Sequence, residues 1–207
     1  MGSLNSAIIT TFFISGKDIR DFGSKNAGLT NVYRCFGKTA AALTLLFDLL
    51  KGFLVVLAAR LPFITDILSK DDYDVLSICL LAALCAIIGH SYPVFYGFKG
   101  GKGILIAAVC MLATDPIVFI CEFIVFVSVV AISRYISLGS IACCVGYPVF
   151  TFLWQALLAP VFGLQYENIV LHVIITALAG IFCFLRHLPN VKRLINHEEN
   201  KFKIRKD

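Results

Sequence analysis

Charge is scarce in this 207-residue sequence: Asp, Glu, Lys and Arg together make up 15% of it, with one tryptophan and two methionines. A soluble domain carries roughly 25% charged residues, so an ordinary water-facing surface is excluded. No cysteines form a CxxC pair, and Cys79, Cys85, Cys110, Cys121, Cys143, Cys144 and Cys183 lie inside apolar runs, with only Cys35 near a loop. They read as small packing residues, not as a disulfide framework, a redox pair or a metal site. A Walker A loop is absent, since Tyr96 stands where its leading glycine belongs and Gly103 follows Lys102. GxSxG and HExxH are missing, and none of His90, His172, His187 or His197 has Asp five residues later. ATP hydrolysis and zinc chemistry lose support. No basic face is interleaved with aromatics, so the net charge of +5 is no nucleic-acid footprint. Low-complexity segments, a second domain and a repeat between the halves are also lacking.

What is present is apolar: 59% of the residues are hydrophobic and the mean hydropathy is +0.87. Measured against roughly 20 residues per spanning helix, the apolar segments are Ser3–Ser15, Thr39–Ala59, Val75–Ser91, Ile104–Ala113, Ile117–Ile132, Leu138–Leu158 and Ile169–Leu185. The expectation is an all-α integral membrane protein of about seven transmembrane helices in a single domain, 1–207. The fourth is short or broken at Asp115-Pro116, and the first is short enough to suggest an N-terminally truncated helix. Fifteen of the 18 Lys and Arg residues fall on one side when connections alternate. The positive-inside rule puts that side, with the C-terminus, in the cytoplasm and the N-terminus outside. The acidic cluster Asp66, Asp71, Asp72 and Asp74 then lies outside.

Four polar stretches fall on the cytoplasmic side. Phe98-Lys99-Gly100-Gly101-Lys102-Gly103 is a phosphate-sized turn, because glycine frees backbone amides, a helix start attracts anions and lysine adds a point charge. A plain positively charged loop explains it equally well. Residues 18–34 combine glycine, hydroxyl, amide and guanidinium groups able to grip phosphate and polyol oxygens. Ser133 to Ser140 offers hydroxyls and a cation, with helix capping a sufficient reason for one serine. Arg186 to Lys201 adds His187 and Asn190 beside basic residues, although such a cluster also suits anionic headgroups. Asp48 and Lys51, three apart in the second span, read as a buried charge pair or a substrate-facing one, and His90 as a carbonyl-bonded imidazole or a base.

Taken together, these stretches closely resemble the PlsY family, the bacterial acyl-phosphate:glycerol-3-phosphate acyltransferases. DIRxxGSGNxGATNxxR is matched from Asp18 to Arg34, GHxxPVFxxFKGGKG from Gly89 to Gly103, and RHxxNIxRLLxGTExK from Arg186 to Lys201. Ser137 to Ser140 matches a shorter SLGS-like element. Lys25 and Leu29 replace small residues of the first motif, and His197-Glu198 replaces Gly-Thr of the third. The resemblance implies acyl transfer from acyl phosphate to the 1-hydroxyl of sn-glycerol 3-phosphate, giving lysophosphatidic acid and phosphate, in the first step of bacterial phospholipid biosynthesis. It also implies a multi-pass protein of the bacterial plasma (inner) membrane, its active site facing the cytoplasm. Its partners would be the two substrates and membrane lipid, with no nucleic acid, obligate protein partner, metal or cofactor. By resemblance Ser24, Asn26, Arg34 and Lys102 serve the phosphate-bearing substrates, with Ser24 also in the catalytic set. Gly100, Gly101 and Gly103 allow close backbone approach, Ser140 or else Ser137 adds a hydroxyl, and His187 and Asn190 position the glycerol phosphate and assist proton transfer. Glu199 reads as structural, pairing with Lys201 or Arg193.

Overall fold

A computed structural model describes residues 1–62, 64 and 74–202. Regular structure among the described residues is helical, without a strand: α1 (Ser6–Ser15), α2 (Leu29–Ala59), α3 (Val75–Ser91), α4 (Ile104–Thr114), α5 (Pro116–Ser133), α6 (Ile136–Phe152) and α7 (Ile169–Ile195). The chain divides into two compact units, Met1–Ala113 and Thr114–Asp207. Of the expected acidic cluster, Asp66, Asp71 and Asp72 lie outside the described residues, while Asp74 caps α3 by accepting from Ser77 N at 2.6 Å.

In the first unit, the Asn5 side chain caps α1 by accepting from Ile8 N at 3.1 Å, and Gly16, at φ 66°, ends the helix. Helix α2 starts ten residues earlier than the hydropathy of its sequence suggests. Leu29 to Lys38 is polar enough to read as loop, yet it is helical up to Gly37, whose φ of 85° and ψ of −172° break α2 between Phe36 and Lys38. The core cluster of this unit is mostly alanine, with Ala7, Ala27, Ala40 and Ala41 beside Ile8, Ile19 and Val32. Large apolar side chains such as Phe47, Leu50, Phe53 and Leu57 point outward. That distribution inverts a soluble protein's and suits a lipid surround, where small interfacial residues let helices approach. Gly52 is one: a Cβ there would stand 2.8 Å from the Val109 side chain of α4.

In the second unit, Pro116 occupies the first turn of α5 and Asp115 caps it, a start chemistry that also stops α4. Helix α6 meets both neighbours through glycine. A Cβ on Gly139 would press on Phe126 and Val130 of α5, and Gly180 of α7 lies against the Cys144 carbonyl. Beyond Phe152 the chain continues as a π segment, Leu153–Leu158. Gln155 within it donates to Asp115 Oδ2 at 3.3 Å and accepts from His172 Nδ1 at 2.8 Å, joining the start of α5 to α7 through buried polar groups.

Among the described residues, five helices are long and apolar enough to cross a membrane: 29–59, 75–96, 116–133, 136–162 and 169–195. Of the seven segments read from hydropathy, the first and fourth are helices of only 10 and 11 residues. At 1.5 Å per residue each is about half a bilayer long, and the fourth is short as expected. Helix α7 runs to Ile195, so Arg186 to Arg193 are carried on rigid helix and not on coil.

Candidate active site

The stretch from Asp18 to Arg34 is folded by its own amide. Asn31, 2% exposed, accepts from Ser24 N at 3.0 Å, and its Nδ2 donates toward the carbonyls of Phe22 (3.0 Å), Asn26 (3.1 Å) and Ile19 (3.4 Å). A buried amide at the start of α2, serving four backbone groups, fixes the segment between the short 3-10 turn Ile19–Asp21 and the helix. Ser24 is left exposed, Asn26 half-buried, and Arg34 exposed on the second turn of α2.

This loop and the glycine-rich turn are brought together by Arg20. Its guanidinium binds Asp18 on both carboxylate oxygens and donates from NH1 to the carbonyls of Tyr96 at 2.6 Å and Lys99 at 3.3 Å. Hydrogen bonding by Arg20 holds the Asp18 carboxyl below its ordinary pKa, against a weaker upward push from burial. The turn itself reverses at Gly97 and Phe98, both with positive φ, and returns to the end of α3. There Gly100 N donates to Ser91 O at 3.1 Å and Gly101 N to His90 O at 3.2 Å.

The Gly100 and Gly101 N–H groups are thus bonded within the turn. A Cβ on Gly100 would strike the His90 carbonyl and Pro93, and one on Gly101 would strike His90 Nε2 and the Ala27 carbonyl. Both are glycine because the turn lies flat against α3. Gly103, at φ 87°, follows the half-buried Lys102 and leads directly into α4.

The second unit holds the other expected residues. His187 is 3% exposed and its Nδ1 lies 2.8 Å from the Cys183 carbonyl. A carbonyl only accepts, so Nδ1 carries a proton and Nε2 is the ring nitrogen left to exchange one. Asn190, one turn later, donates to Glu199 Oε1 at 2.8 Å; Arg193 Nε donates to Glu199 Oε2 at 2.6 Å. Burial acts to raise the Glu199 pKa, but the hydrogen bonds from Asn190 and Arg193 outweigh it and keep the carboxyl below its usual range. Ser137, whose buried hydroxyl makes no hydrogen bond of good geometry, adds to that effect. Ser140 turns its hydroxyl to Ile136 O at 3.0 Å. The tail is held against the start of α6 by Phe202 N donating to Arg134 O at 2.7 Å and by Lys201 over the Tyr135 ring. Glu199 therefore pairs with Arg193, while Lys201 has an aromatic partner.

A family model described as glycerol-3-phosphate acyltransferase matches residues 1–197. The chain belongs to the glycerol-3-phosphate acyltransferase family. It is 36% identical to the glycerol-3-phosphate acyltransferase of Clostridioides difficile strain 630, over all of this chain and 93% of that protein. It is 33% identical to that of Chlorobium phaeobacteroides strain BS1, over 99% and 93%. Its fold is similar to the crystal structure of PlsY (YgiH), an integral membrane glycerol 3-phosphate acyltransferase, in its glycerol 3-phosphate form. There the TM-score is 0.73 and the identity 32%, over 98% of this chain and 94% of that one. A lysophosphatidic acid form of PlsY matches with the same TM-score. The protein is thus an acyltransferase of the membrane, with a function in phospholipid biosynthesis.

Two departures from the acyltransferase motifs have a shared backbone signature. Lys25 and His197 stand where the motifs have glycine, and both adopt left-handed φ, 57° and 58°, a region that costs a side chain energy. Sequence patterns assign no role to Asn31 or Arg20, although both lie within the first motif. Most of their partners are backbone groups, up to 79 positions away for Arg20, which side-chain patterns do not display.

Proposed function

We propose that this acyltransferase uses acyl phosphate as its donor, transferring the fatty acyl group to the 1-hydroxyl of sn-glycerol 3-phosphate. The hydroxyl oxygen forms the new ester bond, the bond between acyl carbon and phosphate oxygen breaks, and the departing phosphate takes the hydroxyl proton. Because acyl phosphate is a mixed anhydride, already activated, no acyl-enzyme is needed. Holding two anions, orienting one hydroxyl and stabilising charge on the carbonyl oxygen suffice.

The observation that carries the acyl-transfer reading is the orientation of His187. Its Nδ1–H is committed to Cys183 O, which turns Nε2 to the role of accepting the hydroxyl proton and passing it to the departing phosphate. Asn190, oriented by Glu199, works with it on the glycerol moiety. Ser24, Asn26, Arg34, Lys102 and the Gly103 amide at the start of α4 hold phosphate, joined by a hydroxyl from Ser137 or Ser140. We assign Gly100 and Gly101 to the build of the turn. The match of the family model across residues 1–197 supports a single catalytic domain. The uneven distribution of Lys and Arg supports a cytoplasmic active site in the bacterial inner membrane, with the N-terminus outside.

Purified protein incubated with labelled glycerol 3-phosphate and either palmitoyl phosphate or palmitoyl-CoA tests the donor. Lysophosphatidic acid is expected with the phosphate donor alone; product only with the CoA ester overturns the assignment. His187→Ala and Asn190→Ala should each lower turnover strongly with membrane insertion intact, and near-normal product from either purified variant would remove that residue from the mechanism.

A further inference from the structure

Charged side chains are rare within apolar helices, and the first unit buries three ionisable groups in one place. Asp48 is 1% exposed, Lys51 8% and His90 4%. The Lys51 ammonium has three acceptors around it: Leu4 O at 2.9 Å, Asp48 Oδ1 at 3.1 Å and His90 Nδ1 at 3.1 Å. Ser6 donates to the same Asp48 oxygen at 2.7 Å. An ammonium offers three hydrogens and no lone pair. With Lys51 charged against its counter-ion Asp48, every hydrogen of the ammonium is used and His90 Nδ1 is the acceptor. The neutral imidazole therefore carries its proton on Nε2.

The direction of that proton matters because of what lies there. His90 Nε2 and the Ala27 carbonyl occupy the space a Cβ of Gly101 would need, and the His90 carbonyl takes the Gly101 N–H. Ring and backbone of one residue thus bear on the turn immediately before Lys102. Ala27 O also accepts from Asn5 Nδ2 at 3.4 Å, so the wall opposite the ring is fixed as well.

We infer that Lys51 locks His90 as its Nε2–H tautomer and that the pair is a positioning device for the Gly100–Gly103 turn, setting where Lys102 stands against a substrate phosphate. The inference rests on the phosphate role proposed above for Lys102. Asp48 supplies the countercharge that keeps Lys51 a triple donor, and Ser6 holds Asp48 in place. None of the four needs to touch substrate; they act through the turn.

Two measurements on the full chain in detergent test it. In 15N-histidine NMR at neutral pH, with His90 assigned by its loss in His90→Gln, Nε2 should be protonated and Nδ1 bare, and Lys51→Met should shift the His90 resonances. A wild-type His90 protonated on Nδ1, or His90 resonances unmoved by Lys51→Met, overturns the proposal whether or not acyl transfer is observed. In kinetics, Lys51→Met and His90→Ala should raise KM about tenfold for the same substrate whose KM rises in Lys102→Ala, with a smaller change in kcat. His90→Gln, which restores an N–H near the Nε2 position, should recover part of the loss. The double variant Lys51→Met/Lys102→Ala should be no worse than Lys102→Ala, because coupled residues do not add. Additive losses, or a fall in thermal stability with KM unchanged, would sink the positioning role. Wild-type protein giving no lysophosphatidic acid from either donor would instead refute the function above and leave the tautomer result standing.

Discussion

Asn190 donates to Glu199 across nine residues of chain, and the opposite oxygen of the same carboxylate receives Arg193. An amide that could rotate freely is thereby held in one orientation, its Nδ2 facing the tail. Glu199→Gln leaves one acceptor oxygen for two donors, so either Asn190 Nδ2 or Arg193 Nε meets an amide N–H instead of a carboxylate oxygen. The loss of charge-assisted bonds is worth about 1.5–3 kcal/mol, so turnover should fall about tenfold or more while the protein still inserts. Steady-state acyl transfer by the purified variant measures it.

The same carboxylate gives a pH dependence. Its folded pKa is lowered from 4.5, so its contribution to stability is complete above the unfolded value and is lost as pH falls through the folded one. Thermal unfolding in detergent followed from pH 6 downward should show an acid limb below about pH 4.5. Glu199→Gln should reduce that limb; what remains falls to groups such as Asp18, also held low by its arginine.

Backbone strain at the two non-glycine motif positions should be removable. Left-handed φ costs an ordinary residue about 1–2 kcal/mol, and glycine returns part of that through the flexibility of the unfolded chain. Lys25→Gly and His197→Gly should each raise the melting temperature by about 1–3 °C. Differential scanning fluorimetry of each variant checks this, with Leu29→Ala as a comparison lacking positive φ.

Glycines in the turn should differ sharply. Gly97→Ala meets only open space and a positive φ of 64°, a cost of about 1 kcal/mol. Gly101→Ala drives a methyl into His90 Nε2 and the Ala27 carbonyl and should abolish most activity, because the turn must lift off α3 to admit it. Comparing KM in the two variants separates backbone strain from displacement of the turn.

Arg20→Lys should raise the KM for a phosphate substrate about tenfold, which corresponds to roughly 1.4 kcal/mol. A lysine ammonium lacks the planar fork that lets Arg20 hold Asp18 and two carbonyls at once. Arg20 sits in a partly exposed pair, side chains 26% and 27% accessible, so the effect is expected on turn geometry and not on overall stability.

How far the sequence led can be judged residue by residue. Apolar runs located α3, α5 and most of α7, because lipid-facing helices announce themselves by composition alone. The start of α2 did not show, since Leu29 to Lys38 is polar and is helical through packing beneath the loop. The roles proposed for His187, Asn190 and Lys102 rest on their spacing within motifs. The bond between Lys51 and His90, 39 positions apart, depends on how α2 and α3 pack, and no local pattern encodes it. Glycine before lysine suggests an anion cradle, and Gly100 and Gly101 also answer a demand no motif displays, the close packing of the turn against α3.

The tail clamp has a consequence for how the protein is made. Glu199 is synthesised after every helix of the described residues, and Phe202, which anchors the tail to Arg134, later still. A nascent chain arrested after Ile195 contains α1 to α7 and His187, but its Asn190 is unoriented. Premature termination late in translation should therefore leave a chain that enters the bilayer and competes for lipid space without acylating anything.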